Sequence, residues 1–235
     1  MALPKLNVSP SYVVTVPSSG QKTTFRPFLV KEQKALMIAY ETQERSDIVR
    51  AIIRTIHSCV EEPISGRLTT FDVDYLFTKI RSKSVGEQAD LIIQCEECDS
   101  ENEVQVDLDS IQIDGEIKDG VLQITDDVSL LMKYPTYEEF MNNTKLLDSE
   151  TQTEGLLELI MACMGSVLTE EEKVDLSDES RESVLEFIDS MTTEQFEKLA
   201  DFVNSAPAIK QDLEFKCKSC GHDNVRELKG IDDFF

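Results

Sequence analysis

Residues 90–102 read D-L-I-I-Q-C-E-E-C-D-S-E-N, and residues 212–224 read D-L-E-F-K-C-K-S-C-G-H-D-N. At an offset of 122 residues, the two segments share the first Asp, the Leu, both Cys and the final Asn. An acidic residue precedes that Asn in each segment. The chain therefore contains a short internal repeat, and each copy carries one C-x-x-C pair.

Each copy has the pattern of a strand that ends in a tight turn. Apolar residues alternate up to the first Cys, at Leu91 and Ile93 in one copy and at Leu213 and Phe215 in the other. One C-x-x-C pair supplies two sulfurs, and two pairs supply the four ligands of a tetrahedral zinc site. The sequence therefore predicts one structural zinc ion that joins distant parts of the chain. Its predicted ligands are Cys95, Cys98, Cys217 and Cys220.

Several alternatives to this zinc site stay open. The two pairs are separated by 118 residues, whereas the common four-thiolate signatures have roughly 12 to 20 residues between pairs. One alternative is that the thiols are metal-free or form a redox pair. A thioredoxin-like C-x-x-C opens a helix, however, and both copies continue as strands. His222 is an alternative ligand, although four better-placed sulfurs favour an all-thiolate site. Iron in place of zinc also fits the pattern.

Composition limits the classes of partner. The 235 residues are 40% hydrophobic, which is enough for a core, and the net charge is -23 from 46 acidic and 23 basic residues. Such a charge repels nucleic acid and anionic membranes, so we expect protein partners, no nucleic acid and no membrane. The longest apolar run, Leu156–Leu168, contains Glu158 and is too short to span a bilayer, and no signal-peptide pattern is present. We therefore expect a soluble chain.

The remaining cysteines fit a reducing compartment. Six cysteines that form two C-x-x-C pairs plus two single residues are typical of proteins whose thiols bind metal rather than form disulfides. Cys59 and Cys163 lie in apolar helical patterns. We predict that both pack in the core.

Residues 1–88 are predicted to form a hairpin followed by three helices. The hairpin comprises Tyr12–Val16 and Lys22–Phe25, which flank a Pro- and Gly-containing turn. The first helix lies in Leu29–Thr42, whose A-L-M-I-A-Y run predicts burial on nearly all sides. Ser46 is the predicted N-cap of the second helix.

The third helix begins with Thr69 and Asp72 at capping-box spacing and ends with a basic cluster. Lys79, Arg81 and Lys83 either complement the negative end of the helix dipole, which we favour, or form a docking patch for an acidic partner. Phe234 and Phe235 at the end of the sequence either pack back onto the protein or dock on a partner.

The rest of the chain divides into three predicted parts. Residues 89–127 hold the first half of a zinc ribbon and a small antiparallel sheet, which includes Val121–Ile124. Residues 128–206 form an acidic helical insertion, in which Thr136 and Glu139 stand at capping-box spacing before F-M-N-N-T-K-L-L at residues 140–147. Further helices are predicted near 150–164, 179–191 and 194–203. Residues 207–235 hold the second half of the ribbon and the C-terminal tail. The predicted fold class is α+β, with a four-Cys zinc ribbon interrupted by helices.

The sequence contains none of the common catalytic motifs. It has no P-loop, no G-x-S-x-G, no H-E-x-x-H and no cysteine with a local histidine motif. Its carboxylates occur in runs, which are typical of a solvated surface rather than a paired acid and base. We therefore expect a protein that is not an enzyme.

Two stretches resemble a known family. Residues 25–40, F-R-P-F-L-V-K-E-Q-K-A-L-M-I-A-Y, and residues 70–87, T-F-D-V-D-Y-L-F-T-K-I-R-S-K-S-V-G-E, are similar to a baseplate protein family of T-even-type contractile-tailed phages. The A-L-P-K-L opening and V-P-S-S-G at residues 16–20 are similar to that family's N-terminus. The resemblance covers residues 1–90. The paired C-x-x-C segments and the acidic block agree with it in length and order.

This resemblance implies a non-enzymatic baseplate hub subunit or hub assembly factor. Such a protein acts in the cytoplasm of the infected cell and binds other hub or tail proteins. It is either a permanent part of the virion tail baseplate or a chaperone that departs. The resemblance implies no catalytic residues for this chain.

Two other functions remain as alternatives. A zinc-ribbon adaptor would bind a polymerase or another protein complex, because four-thiolate ribbons are common in such proteins. A metal-dependent enzyme would need an open coordination position, which four thiolates do not leave.

Overall fold

The computed structural model describes residues 10–118, 120–143 and 151–231. The chain divides into two compact units, residues 1–114 together with 208–235, and residues 115–207. Both units combine helices with antiparallel strands, which confirms the α+β class. No helix in the described ranges has both the length and the apolar character needed to cross a membrane.

The first unit opens with the predicted hairpin and three helices. Strands β1 (Tyr12–Thr15) and β2 (Lys22–Phe25) pair antiparallel, and α1 (Val30–Thr42), α2 (Arg45–Cys59) and α3 (Thr70–Ser84) follow. Helix α1 packs on α2, and α2 packs on α3. The predicted capping box is confirmed, because the Thr69 hydroxyl accepts from the Asp72 N–H and the Asp72 carboxylate accepts from the Thr69 N–H. The core between these elements includes Phe25, Ile56, Cys59 and Phe77.

Two expectations for the first helices are wrong. Met37 is 58% exposed and Ile38 is 53% exposed, so α1 is not buried on nearly all sides. Among the described elements α1 packs mainly on α2, which leaves this side of the apolar run uncovered. Helix α2 begins at Arg45, and its N-cap is Glu44 rather than Ser46. The Glu44 side chain makes no capping hydrogen bond, so this helix start depends on packing rather than on a local cap.

Two long hairpins complete the first unit. The first contains β3 (Gln88–Gln94) and β4 (Glu101–Asp107), and the second contains β10 (Ala208–Lys216) and β11 (Asp223–Lys229). A short strand, β5 (Gln112–Asp114), pairs with β10 on the side away from β11. Apolar side chains of the hairpins share one core. Its buried members are Ala89, Val106, Leu108, Ile111, Ile209, Leu213 and Leu228.

The chain leaves the first unit and returns to it at neighbouring points of one sheet. Asp114 is opposite Ala208 in the pairing of β5 with β10. The chain can therefore depart after residue 114 and return at residue 208 without breaking the sheet. This geometry is typical of an insertion into an existing fold.

Residues 115–207 contain a sheet as well as helices. The strands β6 (Val121–Gln123), β7 (Val128–Met132), β8 (Met164–Thr169) and β9 (Lys173–Asp175) form one antiparallel sheet in that order. The helices are α4 (Tyr137–Asn142), α5 (Gln152–Cys163), α6 (Arg181–Asp189) and α7 (Thr193–Asn204), with a 3₁₀ turn at Leu176–Asp178. Sheet and helices bury a core of their own. It includes Leu130, Met132, Ile160, Cys163, Leu199 and Phe202.

The expected all-helical insertion is therefore wrong in part. The helices predicted in the described residues form, whereas residues 144–147 of the F-M-N-N-T-K-L-L segment lie outside them. The unit also contains a sheet, and β6 pairs with β7 instead of joining the ribbon as predicted for Val121–Ile124. This pairing is also why the compact unit begins at residue 115 rather than at 128. The long apolar run changes from helix to strand at Met164, because β8 is held by pairing on both sides.

Candidate metal centre

Each long hairpin ends in a tight turn that carries one C-x-x-C pair. We call residues 95–100 the first knuckle and residues 217–222 the second knuckle. In the first knuckle, the Cys95 N–H donates to the Ser100 carbonyl at 3.0 Å, and the Asp99 N–H donates to the Cys95 carbonyl at 3.0 Å. These bonds close the turn so that the second thiol faces back toward the first.

The second knuckle repeats this bonding at equivalent positions. The Cys217 N–H donates to the His222 carbonyl at 2.8 Å, and the Gly221 N–H donates to the Cys217 carbonyl at 3.0 Å. Gly221 has φ +77°, and its counterpart Asp99 has φ +56°. The turn requires a left-handed residue at this position, which Gly adopts freely and Asp tolerates better than most residues.

The two knuckles bring the four predicted sulfurs together. The Sγ atoms of Cys95 and Cys220 are 3.7 Å apart, as are those of Cys98 and Cys217, and all four lie within 4.8 Å of one another. A tetrahedron with Zn–S bonds of about 2.3 Å has S–S edges of about 3.8 Å. A disulfide would need about 2.05 Å, and all four cysteines are free thiols. The spacing therefore fits a tetrahedral metal ion.

A buried asparagine follows each knuckle and bonds across to the other one. The Asn102 Oδ1 accepts from the Lys218 N–H at 2.9 Å, and the Asn224 Oδ1 accepts from the Glu96 N–H at 3.0 Å. Lys218 and Glu96 are equivalent positions, each directly after the first Cys. The two bonds are therefore reciprocal and hold the knuckles face to face.

The same two side chains also brace their own knuckles. The Asn102 Nδ2 donates to the Ser100 carbonyl at 2.9 Å, and the Asn224 Nδ2 donates to the His222 carbonyl at 3.1 Å. Asn102 is 2% exposed and Asn224 is 3% exposed. Sequence reasoning counted this Asn as part of the repeat but assigned it no role. Its presence in both copies was the available signal.

Hydrogen bonds to sulfur make the four thiols unequal. The Ser100 Oγ lies 3.1 Å from both the Cys98 and the Cys217 Sγ. The Ser100 hydroxyl, assisted by backbone N–H groups, lowers the pKa of Cys217 to about 5 and also lowers the pKa of Cys98. The His222 N–H lowers the pKa of Cys220, but the neighbouring thiols outweigh it and raise that pKa to about 12.

These pKa shifts show what a cation would supply. Four thiols this close cannot all ionise on their own, because their negative charges repel. A bound dication removes that penalty and deprotonates its thiol ligands. Four sulfur donors at tetrahedral spacing match zinc or iron, and they leave no position for substrate or water. The residues present therefore fit a structural metal.

Histidine does not join this cluster. In the described part of the chain, the only group of three or more His, Cys, Asp and Glu side chains arranged to hold a metal consists of the four cysteines. His222 is exposed, and its backbone, not its ring, bonds within the knuckle. The single cysteines are buried as predicted, and burial raises the pKa of Cys59 to about 11 and that of Cys163 to about 12.

The other predicted site residues lie away from the sulfurs. The Lys79 Nζ donates to the Asp109 carbonyl at 2.6 Å, and the Lys83 Nζ lies 2.6 Å from a Glu87 carboxylate oxygen and 3.0 Å from one of Asp109. Arg81 is partly buried on α3. A docking role for these cations stays a prediction. Phe234 and Phe235 lie outside the described residues.

Comparison with protein-family models matches residues 9–235 to a family described as T4 bacteriophage base plate protein. The matched range includes both knuckles and the whole of residues 115–207. No curated protein and no solved structure gives a significant match to the chain.

Proposed function

The chain belongs to the T4 bacteriophage base plate protein family, and from this we propose that it is a non-enzymatic subunit or assembly factor of the baseplate hub. It acts through contacts with other baseplate or tail proteins in the cytoplasm of the infected cell. A structural zinc ion stabilises the two hairpins that carry the knuckles. The family match supports the baseplate role, and the spacing of the four sulfurs supports the proposed metal site.

Several observations support a structural rather than a catalytic metal. The four sulfurs occupy all positions of a tetrahedral ion, which leaves none for a reacting group. The asparagine bonds between the knuckles resemble the outer hydrogen bonds that fix metal ligands in place. Because the ligands come from two turns far apart in the chain, metal binding and folding of this unit are coupled.

Metal analysis tests the zinc proposal. The purified full chain should contain one zinc per molecule, and its cobalt-substituted form should show the absorption bands of four sulfur ligands. Cys217→Ser should lose most of the metal. The variant should therefore also lose much of the stability that metal binding gives the fold. Cys59→Ala, which removes a buried thiol outside the cluster, should keep one metal per chain. A wild-type protein without metal, or a Cys217→Ser variant that melts like the parent, would contradict the proposal.

Infection tests the baseplate role. A phage that lacks this gene should accumulate incomplete baseplates, and the wild-type gene supplied in trans should restore plaques. Pull-down of the tagged chain from infected cells should recover baseplate or tail proteins. Recovery of polymerase subunits instead would favour the adaptor alternative. Mass spectrometry of purified particles separates a permanent subunit from a factor that departs, since only the subunit remains.

A further inference from the structure

Helix α1 exposes more apolar surface than a helix of this size needs for its own packing. Met37 and Ile38 lie in the middle of the A-L-M-I-A-Y run and are more than half exposed. Val30, in the first turn, is 77% exposed. A helix with apolar residues on nearly all sides usually has neighbours on more than one side, but in the described part of the chain α1 packs mainly on α2. Clustered apolar exposure of this kind marks interaction surfaces.

A groove runs between α1 and α2 beside this apolar surface. Its apolar lining comes from Ala35, Ile38 and Ala39 of α1 and from Ala51 of α2. Small side chains on both helices keep the groove open, and its volume is about 410 Å³. It therefore admits several side chains of an incoming segment.

The rim of the groove is basic in an acidic protein. The groove is lined by three basic and two acidic side chains, a local excess of positive charge in a chain of net charge -23. Lys31, Arg50 and Arg54 line the groove. Its two lining carboxylates are already paired, Glu32 with Arg26 at 2.9 Å and with Lys31 at 3.2 Å, and Asp47 with Arg50 at 3.1 Å. Arg54 is exposed and makes no ion pair with the described residues.

We propose that the α1–α2 groove docks an acidic amphipathic helix of a partner tail protein. Apolar side chains of that helix pack on Ala35, Ile38 and Ala51, and its carboxylates pair with Arg50 and Arg54. Grooves of this kind recognise a helix whose apolar residues recur every three or four positions, so that they lie on one face. The choice of an acidic partner follows from the local positive charge, which attracts it and disfavours basic segments. This proposal rests on the proposed baseplate function and names one of its contact surfaces.

Photo-cross-linking in infected cells tests the groove directly. A benzoylphenylalanine placed at Thr42, which lines the groove, should cross-link to one identified tail protein. Peptide sequencing should place the link in a segment whose apolar residues recur every three or four positions and whose other positions include Asp or Glu. The same probe at the exposed Glu182 of α6 serves as the position control and should not capture that segment. A link to a second copy, to the chain's own residues or to a basic segment overturns the proposal.

Substitutions of a charged and an apolar side chain in the groove provide a second test of the docking site. Arg54→Glu should reduce the Thr42 cross-link at least fivefold, and Ile38→Glu should abolish it. Arg226→Glu, which reverses an exposed cation outside the groove, should leave the yield unchanged. Because both groove side chains are exposed, the melting temperatures of these variants should match the parent. Unchanged cross-linking in Arg54→Glu and Ile38→Glu overturns the proposal.

The pull-down of the wild-type chain separates the two levels of inference. If the wild type and the groove variants recover the same baseplate proteins in equal amounts, the docking site is wrong and the baseplate role stands. If the wild type recovers no baseplate or tail protein, the proposed function fails, and the docking site fails with it.

Discussion

Asn102 and Asn224 show how a single side chain can align two distant turns. Each one joins its own knuckle to the backbone of the other, so the spacing of the sulfurs is set partly by amide hydrogen bonds. Because both side chains are buried, their polar groups have no access to water as a substitute. The knuckles thereby hold the four sulfurs in an arrangement that could bind a metal.

Asn102→Ala should weaken both the fold and the metal site. The change leaves the Lys218 N–H without its acceptor and removes one of the two donors to the Ser100 carbonyl, which should cost about 1 to 3 kcal/mol in the free energy of unfolding. Loss of an outer hydrogen bond around metal ligands should lower zinc affinity about 10- to 100-fold. Urea unfolding and competition with a chelator measure the two effects. Asn204→Ala, at an exposed helix end, is the control, and equal zinc affinity in both variants would refute the role of Asn102.

Glu32 gives the first unit a pH dependence at acidic pH. Burial alone raises the pKa of Glu32, but hydrogen bonds from Arg26, the Leu29 N–H and Lys31 outweigh it and hold the pKa below its ordinary value. The folded state therefore binds this proton less readily than the unfolded state. The resulting stabilisation is present above the ordinary glutamate pKa of about 4.3 and is lost as the pH falls through the folded value.

Glu32→Gln should therefore lower stability at pH 7 by about 1 to 3 kcal/mol, because the ion pair with Arg26 is lost. The difference from the wild type should narrow below about pH 4.5, where the wild-type carboxylate also takes up its proton. Urea midpoints at pH 7, 5 and 3.5 measure this. Glu41→Gln, at an exposed position of the same helix, should show no such trend. A constant difference across this range would be inconsistent with the assignment.

Helix starts are the elements that the local sequence specifies best. Capping boxes form at Thr69 with Asp72 and at Thr136 with Glu139, both at the predicted positions. Asp72 does more than cap, since its Oδ1 also accepts from the Ser18 N–H at 2.8 Å in the turn between β1 and β2. One carboxylate thus fixes the start of α3 and the position of the hairpin.

The two capping boxes should respond differently to truncation. Asp72→Ala removes a fully buried acceptor from three donors and should cost on the order of 3 kcal/mol. Glu139→Ala removes a cap from a partly buried site and should cost about 1 kcal/mol. Thermal and urea unfolding of both variants provide the comparison. Equal losses would show that the contact with Ser18 contributes nothing beyond capping.

Sequence distinguishes helix from strand less well where one apolar run contains both a helix and a strand. Residues 156–168 are apolar apart from Glu158, Gly165 and Ser166, and the run is helical to Cys163 and extended from Met164. A Cβ at Gly165 would lie 2.9 Å from the Leu131 carbonyl oxygen, so Gly permits the close approach of β7. Pairing with β7, rather than the periodicity of the run, decides where the helix ends.

At the scale of the whole molecule, metal removal should affect the two units unequally. Residues 115–207 bury a core of their own and contribute no ligand to the sulfur cluster. Chelation should therefore increase hydrogen exchange in β3, β4, β10 and β11 and leave α5, α6 and α7 protected. Hydrogen-exchange mass spectrometry with and without a chelator measures this. An equal increase in both units would show that the metal stabilises the chain as a whole.

The sequence by itself determined the features that depend on local pattern. These are the hairpin, the helices and their capping boxes, the repeat, and which four thiols come together, because periodicity and spacing act within one short segment. Only the tertiary structure decided that β6 pairs with β7, that Met37 and Ile38 stay exposed, and that each asparagine reaches the opposite knuckle. Strand pairing, burial and cross-knuckle bonds each depend on two segments at once, and neither segment's local pattern specifies its partner.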